Sequence, residues 1–442
     1  MRAGGRDAAQ PGPGAPAPWA PTPGLVWAVG VGLVLLVLGV LGGRPDVALV
    51  GTPAVLGALG AVIARPRGAV WADVVPTAGE AAAITGDLHL AAPPGTEAVR
   101  LRLTRSGHGA TEALVRVPGR RTVGLRARSV RTGPQEVVRV EHQGVGPGGF
   151  LVGPVAAEAA PTVLVLPRPR AVAALPLPAR LRGQGGQHEA RRAGEGGGLR
   201  DIHPFQPGDT PRRIDWRATA RRSPHLEQLY VRRTLAMSEA VVTLVVDSRD
   251  DVGPDPRTWS GIRPIRPDDA TSLDLARQAA ATVAQGYLAS GDRVGVEDLG
   301  VRRRALRPGA GRRQLERVVH QLALLRPEGA PSRRVRAPHV TAGSLVLLFS
   351  TFLDPEAAEL ARGWRRAGHR VVAVDVLPRP HVRGLDRRER LALRIVTIER
   401  SDRLADVVAA GAELVRWSDD AAPARLAALA RLSHRRPGRG VG

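Results

Sequence analysis

Leu199–Tyr230 reads LRDIHPFQPGDTPRRIDWRATARRSPHLEQLY, and shortly after it Ala240–Asp247 reads AVVTLVVD, an unbroken apolar run closed by an acid. A run of that length without polar alternation predicts a strand buried on both faces, as in a parallel sheet covered by helices. Downstream the pattern alternates: a helix near Ser272–Ala289, a strand RVGVEDL, a helix near Arg312–Leu325, a strand SLVLLFS at Ser344–Ser350, a helix Pro355–Ala367, a strand RVVAVDV, further helix, and a short strand ELVRW. Such alternation predicts a doubly wound, mostly parallel α/β domain over 236–420. The remainder, 421–442, reads as a basic helix end and tail.

Working back from the same stretch, 168–198 is rich in Pro and then Gly and reads as a flexible connector. Residues 70–167 change period: DLHLA, AVRLRLTR, TEALVRVPG, TVGLRARSV and QEVVRVEHQ alternate apolar with polar residues between Gly and Pro turns. This is the pattern of half-buried strands in a small sandwich-like β domain. In AVRLRLTR it turns Val99, Leu101 and Leu103 inward. Gly144, Gly146 and Gly149 match a G-x-G-x-x-G string, but Pro147 interrupts it and strand-like residues follow, whereas a dinucleotide site needs a helix there.

Further upstream, GLVWAVGVGLVLLVLGVLGG from Gly24 and VALVGTPAVLGALGAVIA at Val47–Ala64 flank Arg44-Pro45-Asp46. Each run has about the length that crosses a bilayer core, which predicts a transmembrane hairpin over 25–64. The Pro-rich residues 1–24 read as disordered. Arg2 and Arg6 precede the spans and Arg65 and Arg67 follow them, while the loop's Arg44 is offset by Asp46. By the positive-inside rule the N-terminus and everything after Ala64 face the cytoplasm of a multi-pass cell-membrane protein.

Composition removes many activities. The chain has 442 residues and a formal charge of +23, with no lysine, asparagine or cysteine, so every Lys/Arg-type cation is arginine. A phosphate loop needs its lysine, a Schiff base needs an amine, and thiol catalysis, disulfides and cysteine-ligated metals need cysteine. Loss of lysine and asparagine beside abundant Ala, Gly, Pro and Arg looks like GC-rich coding, which explains part of the arginine excess. Aromatic residues make up only 3%, and no nucleic-acid module is recognisable, so nucleic acid is disfavoured as the partner of Arg302–Arg304 or Arg431–Arg436. Anionic lipid of the inner leaflet suits the basic tail better.

The segment from Leu199 resembles the domain of unknown function 58 family. The matching residues are Arg200, Pro207, Gly208, Asp209, Pro211, Arg212, Arg213, Ile214, Asp215, Trp216, Ala218, Ala220 and Arg221, placed just ahead of an α/β domain. Bottom-up, Pro207-Gly208-Asp209 is a turn, and Asp209 or Thr210 with Pro211 fits a helix start. Arg212, Arg213 and Arg217 are interleaved with Asp209 and Asp215, so a structural ion-pair network competes with a surface for an acidic partner anchored by Trp216.

The resemblance implies that the α/β domain is von Willebrand factor A-like. In that fold the first strand ends in D-x-S-x-S, where oxygen ligands hold a divalent cation. Here the run is Asp247-Ser248-Arg249-Asp250-Asp251, with Arg249 and Asp251 in the hydroxyl positions. The later strand ends in Ser350-Thr351 without the usual aspartate, and Arg307–Gly311 lacks the expected threonine. The loop therefore reads as a degenerate metal site. Mg²⁺ or Mn²⁺ is disfavoured by Arg249, and its ligands, if it bound, would be Asp247, Asp250 and Asp251. The resemblance further implies a membrane-anchored assembly factor working with a MoxR-type AAA+ ATPase on an unidentified client, with no catalytic residues and no cofactor. The competing reading is a metal-dependent hydrolase using this acidic loop with His203 or His225.

Overall fold

The computed structural model describes residues 18–435 apart from 78–82, 106, 183–185, 301–304, 328–336, 339, 419 and 420. Arg302–Arg304, Arg436 and the first 17 residues thus lie outside the described residues. The chain divides into two compact units, Met1–Ser129 with Pro134–Val165, and Val130–Gly133 with Leu166–Gly442.

The first unit contains two apolar helices, α1 (Pro23–Leu41) and α2 (Pro45–Ile63), both long and apolar enough to cross a membrane. Glycines let them touch: a Cβ on Gly51 would meet the carbonyl oxygen of Gly32 at 2.5 Å. Small residues at such crossings allow close helix packing where apolar burial alone gives no preference.

One sheet of this unit runs β1 (Ala20–Pro21), β9 (Leu151–Val152), β8 (Arg139–Val145), β4 (Ala98–Thr104) and β5 (Thr111–Val115), with β10 (Ala156–Glu158) also on β8. A second runs β2 (Trp71–Pro76), β3 (Ala83–Ala91) and β6 (Arg120–Arg128), and β7 (Gly133–Glu136) pairs with β11 (Thr162–Val165). Both larger sheets contribute to one core, with Leu88 and Leu90 from β3 and Val99 and Leu101 from β4. Burial alternates along the whole of β3, the period of two that the sequence shows. Gly144–Gly149 opens no α-helix: Pro147–Gly149 is a single 3-10 turn.

The reading of 1–24 as disordered requires correction over residues 18–24. Trp19 is 2% exposed in the β core, and its Nε1 donates to the Gly68 carbonyl at 2.9 Å. Proline content suggested a loose segment, but the one large aromatic side chain within it has a core to enter.

The second unit opens with an antiparallel pair, β12 (His188–Pro204) and β13 (Tyr230–Ser238). Between them lie the 3-10 turn Pro211–Arg213 and α3 (Trp216–Arg222). The main sheet has the order β16 (Leu306–Gly309), β15 (Arg293–Asp298), β14 (Val241–Val246), β17 (Leu345–Ser350), β18 (Arg370–Asp375), β19 (Glu413–Arg416). Every pairing is parallel except the edge pairing of β16 with β15.

Alternate residues of the central strands serve two cores. Val242, Leu244, Leu347 and Phe349 pack with α4 (Ser272–Ala289), α5 (Arg312–Leu324) and α8 (Ala422–Arg435). Val245, Val346 and Leu348 pack with α6 (Pro355–Arg366) and α7 (Arg387–Ala409). Full burial on both faces is what the unbroken apolar runs require.

Two boundaries move. The described residues of 168–198 are no free connector: Val172, Leu175 and Leu177 pack on the sheet core, Arg370 holds the Leu177 carbonyl at 2.6 Å, and His188 onward is strand. Backbone pairing needs no side chains, so a glycine-rich run can lie in a sheet. Helix α8 likewise belongs to the α/β unit, because Ala422, Leu426 and Ala430, spaced by four, are buried.

Candidate functional site

The strand order reverses at β14, whose neighbours are β15 and β17. In open α/β sheets the crevice outside the carboxyl ends at such a reversal is where ligands bind. Asp247 follows β14 there, and Ser350 closes β17.

Asp247 is the centre of a tight set of contacts. Arg249 donates from Nε to Oδ1 and from Nη2 to Oδ2 of Asp247, both at 2.8 Å. The Ser350 hydroxyl donates to Oδ2 at 2.8 Å, and in turn accepts from the Phe352 amide at 3.1 Å. The same guanidinium reaches Asp354 at 2.9 Å and Glu356 at 2.7 Å. Asp354 is the N-cap of α6, its Oδ1 accepting from the Glu356 amide at 2.8 Å. The Arg249 and Asp247 side chains are only 5% and 3% exposed. Burial would lower the Arg249 pKa, but its hydrogen bonds to Asp247 and the charges of Asp354 and Glu356 reverse that and raise it.

The other loop residues diverge from this centre. Ser248 turns away and donates to Asp298 at 2.6 Å. Asp250 accepts from the Thr351 hydroxyl at 3.3 Å; burial, then the nearby charges of Asp247 and Asp354, push its carboxyl up to about 6. Asp251 accepts from the Leu273 amide at 3.2 Å, at the start of α4, and burial raises its pKa as well.

Behind the loop, Phe352 is fully buried with a positive φ of 55°, a conformation uncommon for a bulky residue. Arg403 holds the carbonyls of Phe352 and Leu353 at 3.0 and 2.7 Å. Arg400 holds that of Thr351 at 2.6 Å while paired with Asp375. The turn after β17 is therefore fixed by two arginines from α7. Arg400, Arg403 and Glu356 carry no local sequence signal for these roles, each lying within an ordinary helix.

Asp247, Asp250 and Asp354 each offer a carboxylate oxygen, and the three lie within 4.8 Å of one another. Oxygen ligands so placed would suit a hard divalent cation. With Arg249 in place they do not fit one: both Asp247 oxygens and an Asp354 oxygen already accept from the guanidinium, which supplies the positive charge at that point. The set differs from the one expected from sequence, with Asp354 in place of Asp251.

The stretch Leu199–Tyr230 forms a second surface. Asp215, rather than Asp209 or Thr210, caps the α-helix of this segment, accepting from the Ala218 amide at 2.9 Å; Pro211 opens only the 3-10 turn. The interleaved ion pairs also rearrange. Asp209 accepts from the Gln206 amide at 2.9 Å and faces Arg233 at 3.4 Å and His203 at 3.5 Å; the Gln206 hydrogen bond leads in holding its carboxyl low. Arg200 lies 3.6 Å from Asp201, and Gly208 takes a positive φ of 98° at the turn. Arg213 is half-buried, whereas Arg212, Arg217 and Arg221 are exposed. Trp216 is 63% exposed, and Phe205 and Leu226 are exposed in the same segment. His225 is exposed too.

Residues 201–383 match the model of a family described as a protein of unknown function, DUF58. No curated protein and no solved structure matches the chain.

Proposed function

With the chain a member of the DUF58 family through residues 201–383, we propose that it is a membrane-anchored protein-binding and assembly factor. Its α/β unit is read as von Willebrand factor A-like, with a metal loop closed by an internal cation. Arg249 carries this reading: a buried guanidinium bound by Asp247, Asp354 and Glu356 makes the rim of the sheet a rigid surface that needs no divalent ion. A hydrolase has less support, because His203 faces Asp209 instead and the acidic cluster is already engaged by a cation.

The docking face we assign is the Leu199–Tyr230 surface. Exposed Trp216 supplies an apolar anchor, and Arg212, Arg217 and Arg221 supply cations for an acidic partner. Interface hot spots are enriched in tryptophan and arginine. The family resemblance makes a MoxR-type AAA+ ATPase the partner and an unidentified protein the client, with the large C-terminal part in the cytoplasm and no cofactor of its own.

Affinity purification of the intact, detergent-extracted protein tests this. An AAA+ ATPase is expected among the recovered proteins, with recovery reduced at least tenfold by Trp216→Ala combined with Arg212→Glu. Recovery of none, with or without ATP, overturns the reading.

A further inference from the structure

The amino-terminal half of α7 has an apolar face that its own unit does not cover. Leu391, Ile395 and Ile398 are 59%, 51% and 52% exposed. Their spacing of four and three residues puts them in one stripe along the helix. The opposite side of the same turns carries Leu393 and Val396, which are half-buried. The stripe is therefore additional to the face that packs inward.

Charge along Arg387–Ile395 is mainly basic, whereas past Ile398 the exposed acids Glu399, paired with Arg403 at 3.2 Å, and Asp402 follow. Arg387, Arg388, Arg390 and Arg394 are all exposed in these turns. At 100° per residue Arg388 falls on one flank of the stripe and Arg387 and Arg394 on the other. The acid within these turns, Glu389, points elsewhere. It accepts from Arg257 through both oxygens at 2.7 Å and closes the capping box with Asp386. Those bonds fix the start of α7 against Pro256–Thr258, so the stripe is presented by an anchored helix. On the other side of the helix, Ile262 is 86% exposed and lines a cleft of about 490 Å³ with Trp259, Leu393 and Val396.

We propose that this face of α7 is a second membrane contact that seats on anionic lipid headgroups. An apolar stripe flanked on both sides by arginine is the pattern of a helix lying in the bilayer interface, its apolar residues entering the headgroup boundary and its cations meeting anionic lipid. Arginine on both flanks of Leu391 and Ile395 suits an anionic surface met by the first turns of the helix. The inference rests on the reading of α1 and α2 as membrane spans, which would hold the unit close to such a surface.

The absence of cysteine makes the test direct. Ile395→Cys on the stripe and Thr397→Cys, exposed on another side of the helix, each receive a fluorescent label in the intact protein reconstituted into liposomes. Brominated lipid is expected to quench the label at 395 at least threefold more than the one at 397 when phosphatidylserine is present. The difference should vanish in pure phosphatidylcholine and in an Arg387→Glu, Arg388→Glu, Arg394→Glu variant whose protease resistance is unchanged. Equal quenching at both positions, with the protein still resistant to carbonate extraction, overturns the inference alone. Carbonate extraction of the protein overturns the spans on which it rests. Shielding of the 395 label in cell-derived membranes but not in protein-free liposomes assigns the stripe to a protein partner and also overturns it.

Discussion

Replacing Arg249 by serine separates a loop closed by its own cation from one that waits for a metal. Arg249→Ser removes the 2.8 Å pair to Asp247 and the contacts at 2.9 and 2.7 Å to Asp354 and Glu356. Three carboxylates, Asp247, Asp354 and Glu356, then lose the guanidinium that they surround. Removing one partner of a buried pair costs about 3–5 kcal/mol, because the remaining charge is left without compensation. The side-chain exposures of 5% and 3% put this pair in that class. Hydrogen exchange of the Val241–Val246 amides in the intact, detergent-solubilised protein reports the opening of this sheet. Protection there should fall by roughly 150- to 5000-fold, the same free energy at about 1.4 kcal/mol per factor of ten. The variant also frees the oxygens of Asp247 and Asp354 and adds a hydroxyl at a position where the resemblance expects one. Mg²⁺ or Mn²⁺ at a hundred times its dissociation constant should then restore about 2.7 kcal/mol, while the wild-type protein gains nothing. Equal stabilisation of both proteins by the metal, or a loss of less than about 1 kcal/mol in the variant, would refute the assignment of Arg249 as the resident cation.

Three further outcomes are expected. Asp250 titrates near 6 in the folded protein and near 4 when unfolded, so the native state binds the extra proton. Its contribution therefore favours folding below about pH 4 and is lost as pH rises to 6, and Asp250→Asn should flatten this slope and stabilise by about 1–3 kcal/mol above pH 7; a denaturation series over pH that shows parallel curves for the two proteins refutes this. Trp19→Ala should destabilise the β unit by about 3–5 kcal/mol, read as earlier loss of protease resistance in the fragment that ends near Val165, with the α/β unit unaffected. Asp215→Ala removes the cap on Ala218 and should cost α3 about 1 kcal/mol, seen as faster amide exchange in Trp216–Arg222.

Legibility in the sequence followed the range of the interactions. Ser272–Ala289 has the same limits by pattern and by structure, because its start is marked locally by a Thr271/Asp274 capping box. The central strands were legible because burial on both faces leaves unbroken apolar runs. Where two starts satisfy the same local rule, as Thr210-Pro211 and Asp215-Trp216 do, pattern cannot choose. Here Asp215 is also tied at its backbone to Tyr230 at 2.8 Å, a partner from the next strand. The edge strand Leu306–Gly309 was hidden by Pro308 and two turn-like neighbours. At the candidate site, Asp247 and the anomaly of Arg249 were visible in five consecutive residues. The partners that give the anomaly its meaning, Asp354 and Glu356, come 105 and 107 positions later and read locally as the cap and first turn of α6. Because one guanidinium ties the end of β14 to the start of α6, this charge cluster is also a structural joint of the sheet rim. A substitution there should lower stability, whereas one at exposed Trp216 should leave stability unchanged.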